Sequence, residues 1–381
     1  MTIGIDARFF GPKDKGLGRY TQQLIEKLEQ LDSQNDYLIF LRAEDFNDYQ
    51  PLNPRFKKVR ADFRWYSLAE QLIFPWLLYR HKMDLMHFTH FNVPAFYWRP
   101  YVVTIHDLIL RRFRTARGSV FSRLRYWLKD LGYSVVIKIV VRRAKKIIAV
   151  SNYVKKDILQ SLGADLADKV EVVYEGRPEK VESGISAVKG ESILEKYQIK
   201  TPYLLYVGNA YPHKNLARLV EAFKILQKNQ PALQLVLVGG EDYFYRKLRL
   251  DNCDELGVCF GGGVVFTGFV AERDLAALYQ RAQLYVFPSL CEGFGLPPLE
   301  AMSYGLPVAA ASSSCLPEIL GQAAHYFDAQ NPADIAVKVG EIIASPDLRT
   351  SLIENGYQQV KKYSWQKMAE ETFKIYLLAR V

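Results

Sequence analysis

The sequence lacks most of the features on which metal-dependent and secreted proteins rely. Its 381 residues contain only four cysteines and six histidines, and no two cysteines are spaced as C-x-x-C. No Asp-x-Asp pair occurs of the kind that holds a cation between phosphates. We therefore expect no metal site and no cofactor, and four cysteines that are buried or incidental thiols of a reducing compartment.

Long hydrophobic runs are also missing. A membrane-spanning helix needs about 20 consecutive apolar residues, and the nearest stretch, 133–141, is interrupted by Lys138 and ended by Arg142 and Arg143. The first residues, 1–6, are typical of a β-strand and carry no signal-peptide pattern. These features predict a cytoplasmic protein, with any membrane association peripheral and at the inner face of the cell membrane.

Positive charge is concentrated in the first half of the chain. Residues 1–190 carry 32 basic and 21 acidic side chains, whereas residues 191–381 carry 18 and 20. Within 111–156 there are fourteen basic residues and a single acid, Asp130. Such a field favours an anionic partner: lipid headgroups, phosphates or nucleic acid. Because 120–129 mixes basic and aromatic residues at helical spacing, we favour an anionic membrane surface; the alternative is a solvated basic helix packed on the sheet.

The apolar segments of the first half alternate between strand and helix patterns. The predicted strands are Ile3–Ile5, Tyr37–Leu41, Leu85–Phe88, Tyr101–Ile105 and Ile147–Val150. Amphipathic helical stretches lie between them, at Tyr20–Leu31, Leu68–Tyr79 and Val120–Val141. This alternation predicts a parallel sheet covered by helices, a fold that binds ligands at the carboxyl ends of its strands.

The same alternation restarts in the second half. Its predicted strands are Tyr203–Val207, Leu233–Val238, Val264–Thr267, Leu284–Phe287 and Val308–Ala311. Its predicted helices are Asn215–Lys228, Glu272–Arg281, Leu299–Tyr304, Leu316–Leu320 and a last one near Trp365–Ala379.

Two α/β domains follow from the length and from this repetition. We place a Rossmann-like domain at 1–175, a glycine-, proline- and charge-rich linker at 176–200, and a second Rossmann-like domain at 201–362. The last helix, within 363–381, is a candidate to pack back on the N-terminal domain. Two such domains imply a cleft between them, a common location for ligands.

The most specific segment runs from Pro288 to Ala301, after one strand and into a helix. Gly293 and Gly295 permit close approach of backbone to ligand, and a helix N-terminus attracts phosphate. Glu292 and Glu300 lie eight positions apart and could accept hydrogen bonds from sugar hydroxyls. The alternative is a glycine turn followed by a glutamate that only complements the helix dipole.

Two further loops have the composition of phosphate or sugar sites. In the segment 206–215, Lys214 precedes a helix and could reach anionic oxygens, although Asn209 and Asn215 are also ordinary turn and cap residues. In the first half, a glycine-rich loop contains Gly16 and Gly18 and precedes a helix. It lacks the third glycine of a dinucleotide fingerprint but fits a phosphate or sugar cradle.

Polar residues accompany two successive strands of the first half. His106 and Asp107 follow Tyr101–Ile105, while His87, His90 and Asn92 accompany the strand before it. Side chains at the carboxyl ends of neighbouring strands point to one region, which makes these residues candidates for the reacting centre. A lone histidine is more often structural.

Together these motifs resemble the retaining glycosyltransferases of family 4, which have the GT-B fold of two Rossmann-like domains facing across a cleft. The resemblance covers nearly the whole chain. Its most specific part is E-x7-E within E-G-F-G-L-P-P-L-E-A-M, and it is supported by the glycine loop, by His106-Asp107, by Ile148-Ala-Val-Ser151 and by P-H-K-N. The segment Y-V-G-N-x-x-P-H-K-N and C-L-P-E are similar to bacterial mannosyltransferases of polysaccharide assembly.

The resemblance implies a donor site in the second domain. Lys214 would hold the donor diphosphate, Glu300 the ribose hydroxyls and Glu292 the transferred sugar. The residues beside that sugar would be Gly293, Phe294, Gly295 and Leu296.

It further implies roles in the first domain. His106 would lie near the reacting centre, Gly16 and Gly18 near donor and acceptor, with His87, His90, Asn92 and Asp107 on the acceptor side. One departure stands out, because Asn209 occupies a position where many members carry an arginine. Lys214, backbone amides or another cation such as Arg19 would then carry more of the diphosphate charge.

The implied activity is metal-independent transfer of a hexose, with retention, from a nucleotide diphosphate sugar to a glycan or lipid-linked acceptor. Mannose from GDP-mannose is the favoured donor and a UDP-hexose the second. The family's usual account is a front-face route, in which the leaving phosphate helps to deprotonate the acceptor. Two alternatives remain: another GT-B enzyme, such as a phosphorylase or sugar-nucleotide epimerase, and a nucleic-acid-binding protein using the basic segment 111–156. We expect no nucleic-acid partner.

Overall fold

A computed structural model describes residues 1–65, 67–113, 136–177, 187–253 and 263–380. The chain divides into two compact units. The first unit comprises Met1–Gly176 together with Tyr363–Val381, and the second unit comprises Arg177–Lys362. Each is described by itself below.

A seven-stranded sheet forms the centre of the first unit, in the order β3-β2-β1-β4-β5-β6-β7. All of its described pairs are parallel. The strands are β1 (Thr2–Asp6), β2 (Asp36–Leu41), β3 (Phe56–Arg60), β4 (Leu85–Phe88), β5 (Tyr101–Ile105), β6 (Lys146–Ala149) and β7 (Val170–Val172). Since β1 pairs with both β2 and β4, the strand order reverses between β1 and β4, the position where such sheets bind ligands.

Helices flank this sheet wherever the sequence supplies an amphipathic face and a cap. They are α1 (Lys15–Leu31), α2 (Leu68–Leu72), α3 (Phe74–Arg80), α4 (Ile109–Arg112), α5 (136–143), α6 (Asn152–Leu162) and, from the end of the chain, α15 (Trp365–Leu378). The hydroxyls of Ser67, Ser151 and Ser364 each accept a backbone N–H in the first turn of the helix that follows, the standard role of an N-cap serine.

The second unit contains a six-stranded parallel sheet in the order β10-β9-β8-β11-β12-β13. Its strands are β8 (Tyr203–Val207), β9 (Gln234–Val238), β10 (Val264–Gly268), β11 (Leu284–Phe287), β12 (Val308–Ala311) and β13 (Ala324–Phe327). Its helices are α7 (Ala187–Lys196), α8 (Leu216–Asn229), α9 (Tyr243–Leu250), α10 (Glu272–Arg281), α11 (Leu296–Ser303), α12 (Leu316–Leu320), α13 (Pro332–Ala344) and α14 (Pro346–Val360). Here the strand order reverses between β8 and β11.

The predicted fold class is confirmed: both units are α/β, with parallel sheets. The ten predicted strands all occur, but β3, β7 and β13 were not predicted. Each of the three lies at the edge of its sheet. Edge strands are short and polar because one side stays open to solvent, so β3, with the sequence Phe-Lys-Lys-Val-Arg, lacks the apolar run that identified the inner strands.

The predicted linker is partly helical. Within 176–200, helix α7 occupies Ala187–Lys196, and Lys196 forms an ion pair with Asp274 of α10 at 2.6 Å. The second half of that segment is thus packed on the second unit rather than serving as a free connection. The segment Tyr363–Val381 groups with the first unit.

Cysteine use differs from the prediction. Cys291 and Cys315 are buried free thiols, but Cys253 is disulfide-bonded, which corrects the expectation that all four are thiols. Cys259 lies outside the described residues. The bond could not be predicted because the cysteine spacings of this chain match no pattern specific to a disulfide. In the part of the chain that is described, no helix has the length and apolarity to cross a membrane.

Candidate active site

A largely buried pair of charged side chains lies at the topological switch point of the second unit. Lys214 ends a short 3-10 turn after β8, and Glu292 lies in the loop after β11. Because β8 and β11 are neighbouring parallel strands, both loops emerge at the same edge of the sheet. The Lys214 ammonium and the Glu292 carboxylate form an ion pair of 2.6 Å, with both side chains largely buried.

The loop carrying Lys214 is held by the asparagine that follows it. Asn215 adopts the left-handed region, with φ of 61°, which asparagine tolerates better than most residues. Its side-chain amide donates to the carbonyls of Pro288 at 3.2 Å and Ala329 at 2.7 Å. The N–H of Leu290 donates to the carbonyl of His213 at 2.7 Å. These bonds tie the Lys214 turn to the Glu292 loop and fix the position of the ion pair.

The glycine segment turns the chain sharply into α11. Gly295 is the N-cap, with φ of 94°, a conformation strained for other residues, and a Cβ there would lie 3.0 Å from a methyl of Leu316. The Ser314 hydroxyl accepts the N–H of Glu292 at 3.0 Å. The Cys315 thiol donates to the carbonyl of Phe294 at 3.3 Å. The predicted turn with its helix N-terminus beside Glu292 is therefore present, with Leu296 as the first helical residue.

Glu300 lies in the second turn of that helix. Its carboxylate accepts a hydrogen bond from the Tyr279 hydroxyl at 3.2 Å. Glu300 and Glu292 both add to the effect of burial in raising the pKa of Tyr285 well above its usual range, so both carboxylates act on the same buried phenol. The two glutamates of the E-x7-E pattern are brought to one region.

Two glycines of this site were not singled out by sequence reasoning. A Cβ on Gly239, just after β9, would approach the carbonyl oxygen of Gly208 to 2.0 Å, so the ends of β8 and β9 pass in backbone contact. Asn209 follows directly, and its side chain accepts the N–H of Tyr211 at 3.3 Å. The sequence feature that could have indicated this contact is the pair of consecutive glycines, Gly239 and Gly240, directly after a predicted strand.

His213 adds no positive charge to the Lys214 turn at neutral pH. Burial lowers the pKa of His213 to about 4, with the Lys214 charge lowering it further and Glu292 opposing. The imidazole is therefore neutral, and Lys214 carries the charge of the P-H-K-N motif.

In the first unit, the glycines Gly16 and Gly18 are helical. They lie in the first turns of α1, which begins at Lys15, so the predicted loop is shorter than the sequence suggested. A Cβ on Gly18 would lie 2.0 Å from the carbonyl oxygen of Gly11, and the N–H of Gly11 donates to the carbonyl of Gly18 at 3.1 Å. Gly18 thus has a packing reason to be glycine, and a role of either glycine in donor binding stays a prediction.

His106 directs both ring nitrogens to protein acceptors. Nδ1 lies 2.8 Å from a carboxylate oxygen of Glu175, and Nε2 lies 3.0 Å from the carbonyl of Thr89. Because the carbonyl only accepts, Nε2 is the donor in its hydrogen bond to Thr89. The ring is oriented by Glu175, which sequence reasoning missed because it stands 69 positions away. The neighbouring Asp107 accepts the N–H of Ile109.

His87 belongs to the core rather than to an open site. It is the third residue of β4 and fully buried, with Nδ1 2.6 Å from the Tyr376 hydroxyl and Nε2 2.8 Å from the Thr104 hydroxyl. Burial lowers its pKa to about 3, so the ring is neutral. Contact with an acceptor would require this network to open, and an acceptor-side role of His87 stays a prediction.

His90 and Asn92, in contrast, leave polar atoms without partners. Among the described residues, no group bonds to His90 Nδ1, to the Asn92 side-chain nitrogen or to Trp65 Nε1, all of which are buried. Phe9 stacks on Trp65 at 4.2 Å and lies 5.2 Å from the His90 ring. These residues follow β1, β3 and β4, near the switch point of the first sheet. Buried unpaired polar atoms are costly, which makes this group a candidate for a polar ligand.

In the described part of the chain, no three His, Cys, Asp or Glu side chains gather into a group that could hold a metal ion.

Comparison with known families identifies the class. Residues 15–179 match the family described as Glycosyltransferase Family 4, and residues 191–359 match Glycosyl transferases group 1. The two matches together span both units. The protein is a glycosyltransferase, and the chain belongs to family 4 of these enzymes.

Similar proteins agree with that class. O-antigen chain mannosyltransferase B of Escherichia coli is 28% identical over 95% of this chain and 96% of its own length. Among solved structures, sucrose-phosphate synthase from Thermosynechococcus elongatus superposes with a TM-score of 0.77, at 21% identity and coverage of 99% and 98%. Anabaena HepE, solved with UDP and glucose, gives 0.72 at 18% identity, covering 98% of each chain. The likeness to these structures shows that the chain has the GT-B fold.

Proposed function

We propose that this enzyme transfers mannose from GDP-mannose, with retention and without a metal ion, to a glycan or lipid-linked acceptor. The observation that carries the proposal is the Lys214–Glu292 ion pair at the carboxyl ends of β8 and β11. A cation suited to a diphosphate and a carboxylate suited to sugar hydroxyls stand side by side there. The mannosyltransferase from Escherichia coli supports the choice of sugar, whereas the UDP bound to HepE keeps a UDP-hexose as the second candidate.

Charge development on the leaving diphosphate is the step that this site is suited to stabilise. Lys214 supplies a full positive charge, and the N-terminus of α11 supplies the partial positive charge of a helix start. Glu292 would accept hydrogen bonds from the transferred sugar, and Glu300 from the ribose. Such groups lower the barrier because they are already oriented before the charge develops.

The ion pair also indicates which contact the donor would replace on binding. Without donor, Lys214 and Glu292 satisfy each other, so neither buried charge is left unpaired. A nucleotide sugar would replace their mutual bond by a lysine–phosphate contact and a glutamate–hydroxyl contact. After this exchange each side chain still has a hydrogen-bonding partner, the phosphate for Lys214 and the sugar hydroxyls for Glu292.

GDP-mannose is expected to bind more tightly than UDP-glucose or UDP-galactose in isothermal titration calorimetry. The affinity for GDP-mannose should be the same in EDTA as with added Mg²⁺, since the proposed contacts to the diphosphate come from Lys214 and the α11 N-terminus. Binding of UDP-sugars without binding of GDP-mannose would overturn the donor assignment. Loss of binding in EDTA, restored by Mg²⁺ or Mn²⁺, would overturn metal independence.

For the acceptor, we propose the group around His90 and Asn92. Replacing His90 by phenylalanine removes a buried unpaired ring nitrogen and keeps a ring beside Phe9, so stability should be unchanged or raised. The same change removes a polar contact to the acceptor, and we expect kcat/KM for the acceptor to fall about tenfold.

Steady-state kinetics and thermal melting of this variant test that assignment. The affinity for the donor is the internal control, since His90 lies in the first unit and the donor contacts lie in the second. Unchanged acceptor kinetics in a variant of normal stability would remove His90 from the site.

Of the basic segment 111–156, proposed to contact an anionic membrane, residues 114–135 lie outside the described part of the chain. Its described beginning is engaged within the first unit, because Arg112 pairs with Asp157 at 2.7 Å and Arg111 donates to the carbonyl of Ser161. A role for this segment at a membrane stays a proposal.

A further inference from the structure

The helices α2 and α3 have an apolar inward face but also expose large apolar side chains to solvent. Their outward positions Leu68, Leu72, Ile73 and Trp76 are between 52% and 80% exposed. Their inward face includes Glu70, which is buried and bonded to Arg8 at 2.8 Å. Helices on soluble proteins normally place apolar side chains inward and charges outward. Contiguous exposed apolar surface of this kind marks an interaction site.

Spacing places these side chains on one stripe. Leu68, Leu72 and Trp76 are four positions apart, and only Ile73, which keeps a helical backbone, separates α2 from α3. The Arg80 guanidinium lies 4.5 Å from the Trp76 ring, as expected for positions four apart on a helix.

A neighbouring loop extends the same surface. Phe96 and Trp98 are 54% and 66% exposed. Three hydrogen bonds attach this loop to the helices: the N–H of Ala95 to Gln71, the Tyr79 hydroxyl to the carbonyl of Phe96, and the N–H of Trp98 to Tyr79. We define the apolar face as Leu68, Leu72, Ile73, Trp76, Phe96 and Trp98.

Cations lie among these rings, and acids are nearly absent. Arg143 lies 3.4 Å from the Trp98 ring centre, and Arg99 lies 5.2 Å from the Tyr79 ring centre. Between residues 71 and 106 the sequence contains one acid, Asp84, whose carboxylate accepts the N–H of Thr2 at 2.7 Å.

We propose that the apolar face docks the enzyme on an anionic lipid bilayer. Tryptophan and phenylalanine enter the boundary between headgroups and acyl chains, and arginines stacked on those rings lie at the depth of lipid phosphates. A protein partner would need an apolar surface and negative charges that match the shape of this face. An anionic bilayer presents acyl chains and phosphates to a face of any shape. Charge complementarity therefore selects the bilayer.

This inference deepens the proposed function, since a lipid-linked acceptor lies in such a membrane, and it adds α2, α3 and the loop at 94–99 to the membrane contact proposed for 111–156. The Glu70–Arg8 ion pair, at 2.8 Å, attaches α2 to the rest of the first unit.

Sedimentation with vesicles tests the proposal. Wild-type protein is mixed with phosphatidylcholine vesicles containing 0, 20 or 40% phosphatidylglycerol. Binding should rise with anionic lipid and weaken, without vanishing, in high salt, because the charge contribution is screened and the apolar contribution is not. The double variant Leu72→Ser with Trp76→Ser should bind at least about tenfold more weakly, as expected for two large apolar side chains.

The matched control is Leu52→Ser. Among the described residues of the first unit, Leu52 is the most exposed large apolar one, at 88%, and it lies outside the apolar face, so its variant should bind as wild type. Trp98→Ser provides a second, independent test on the loop. All four sites are exposed, and unchanged thermal melting confirms that the variants are folded.

Tryptophan fluorescence reports the depth of contact. Lipids brominated on their acyl chains should quench wild-type emission, and the quenched fraction should fall in the double variant. Equal vesicle binding by wild type and double variant overturns the proposal, as does negligible wild-type binding to 40% phosphatidylglycerol. A wild-type dimer in sedimentation velocity that the double variant converts to monomer also overturns it, because the face would then be a protein interface.

Nucleotide binding separates this inference from the proposed donor. The double variant should bind GDP-mannose as wild type does in calorimetry. Vesicle binding without GDP-mannose binding would refute the donor while leaving the docking surface intact.

Discussion

Alanine at Lys214, or at Glu292, is expected to lower the turnover number at least about 100-fold while the fold is retained. Lys214 is the charged side chain of the P-H-K-N turn, since His213 is neutral near pH 7. Glu292 is the carboxylate that the glycine turn and Ser314 hold beside it. Lys214→Ala removes a contact that strengthens as negative charge moves onto the leaving diphosphate, and Glu292→Ala removes one that strengthens as positive charge develops on the transferred sugar.

The chain offers a matched control for this experiment. Lys196 and Asp274 form an ion pair of the same 2.6 Å length in the same unit, between α7 and α10. Lys196→Ala should leave turnover within about twofold of wild type, since exposed pairs contribute little. The measurement is steady-state kinetics, with melting curves for all variants. A Lys214 or Glu292 variant that melts normally and turns over at nearly the wild-type rate would remove that residue from the site.

Combining both substitutions adds information on their coupling. If the two residues act on one transition state, the double variant should lose less activity than the product of the two single effects. Strict multiplication of the two effects would instead indicate independent roles.

The second large effect is expected on stability, at Arg8. This guanidinium is buried and forms two bonds to Asp6, at 2.7 and 2.8 Å, and one to Glu70 at 2.8 Å. Burial alone would lower the pKa of Arg8, but the two carboxylates outweigh it and raise the pKa, so the side chain stays charged. Arg8→Ala leaves two buried carboxylates without their cation, and we expect the free energy of unfolding of the first unit to fall by about 3–5 kcal/mol.

Urea unfolding measures this effect. The control is Arg60→Ala, because Arg60 and Asp62 form an exposed ion pair, for which the expected loss is below about 1 kcal/mol. An Arg8 variant no less stable than the Arg60 variant would show that the buried network contributes little. The comparison isolates burial, since both substitutions remove an arginine paired with an aspartate two positions away.

The sequence was sufficient for the inner strands of both sheets and for the edge strand β10, but not for the three other edge strands. Buried parallel strands such as Tyr203–Val207 are continuous apolar runs, and such runs can be recognised in the sequence alone. Edge strands such as β13, Ala-His-Tyr-Phe, do not, since their existence depends on a neighbour that local composition does not encode. Helix α7 was not predicted for a related reason, because it packs against α10, which lies far from it in the sequence.

The site divides in the same way. Lys214, Glu292 and Glu300 could be proposed because their motifs combine glycines, a helix start and charge at fixed spacing. That Lys214 and Glu292 would bond to each other, across 78 positions, depended on β8 and β11 being neighbours. Glu175 beside His106 and the core position of His87 likewise follow from tertiary contacts. No residue pattern distinguishes a histidine that faces a ligand from one bonded inside a sheet.

The chain's return to its first unit sets an order of folding during synthesis. Tyr376, on the last helix, bonds to His87 of β4 across 289 positions, and α15 packs on α1. The second unit, Arg177–Lys362, is continuous in sequence and can close as soon as its own residues leave the ribosome. The first unit must wait, with His87 and the flank of α1 uncovered, until residues 363–380 have been made. A nascent enzyme therefore completes its second unit before the unit that was translated first.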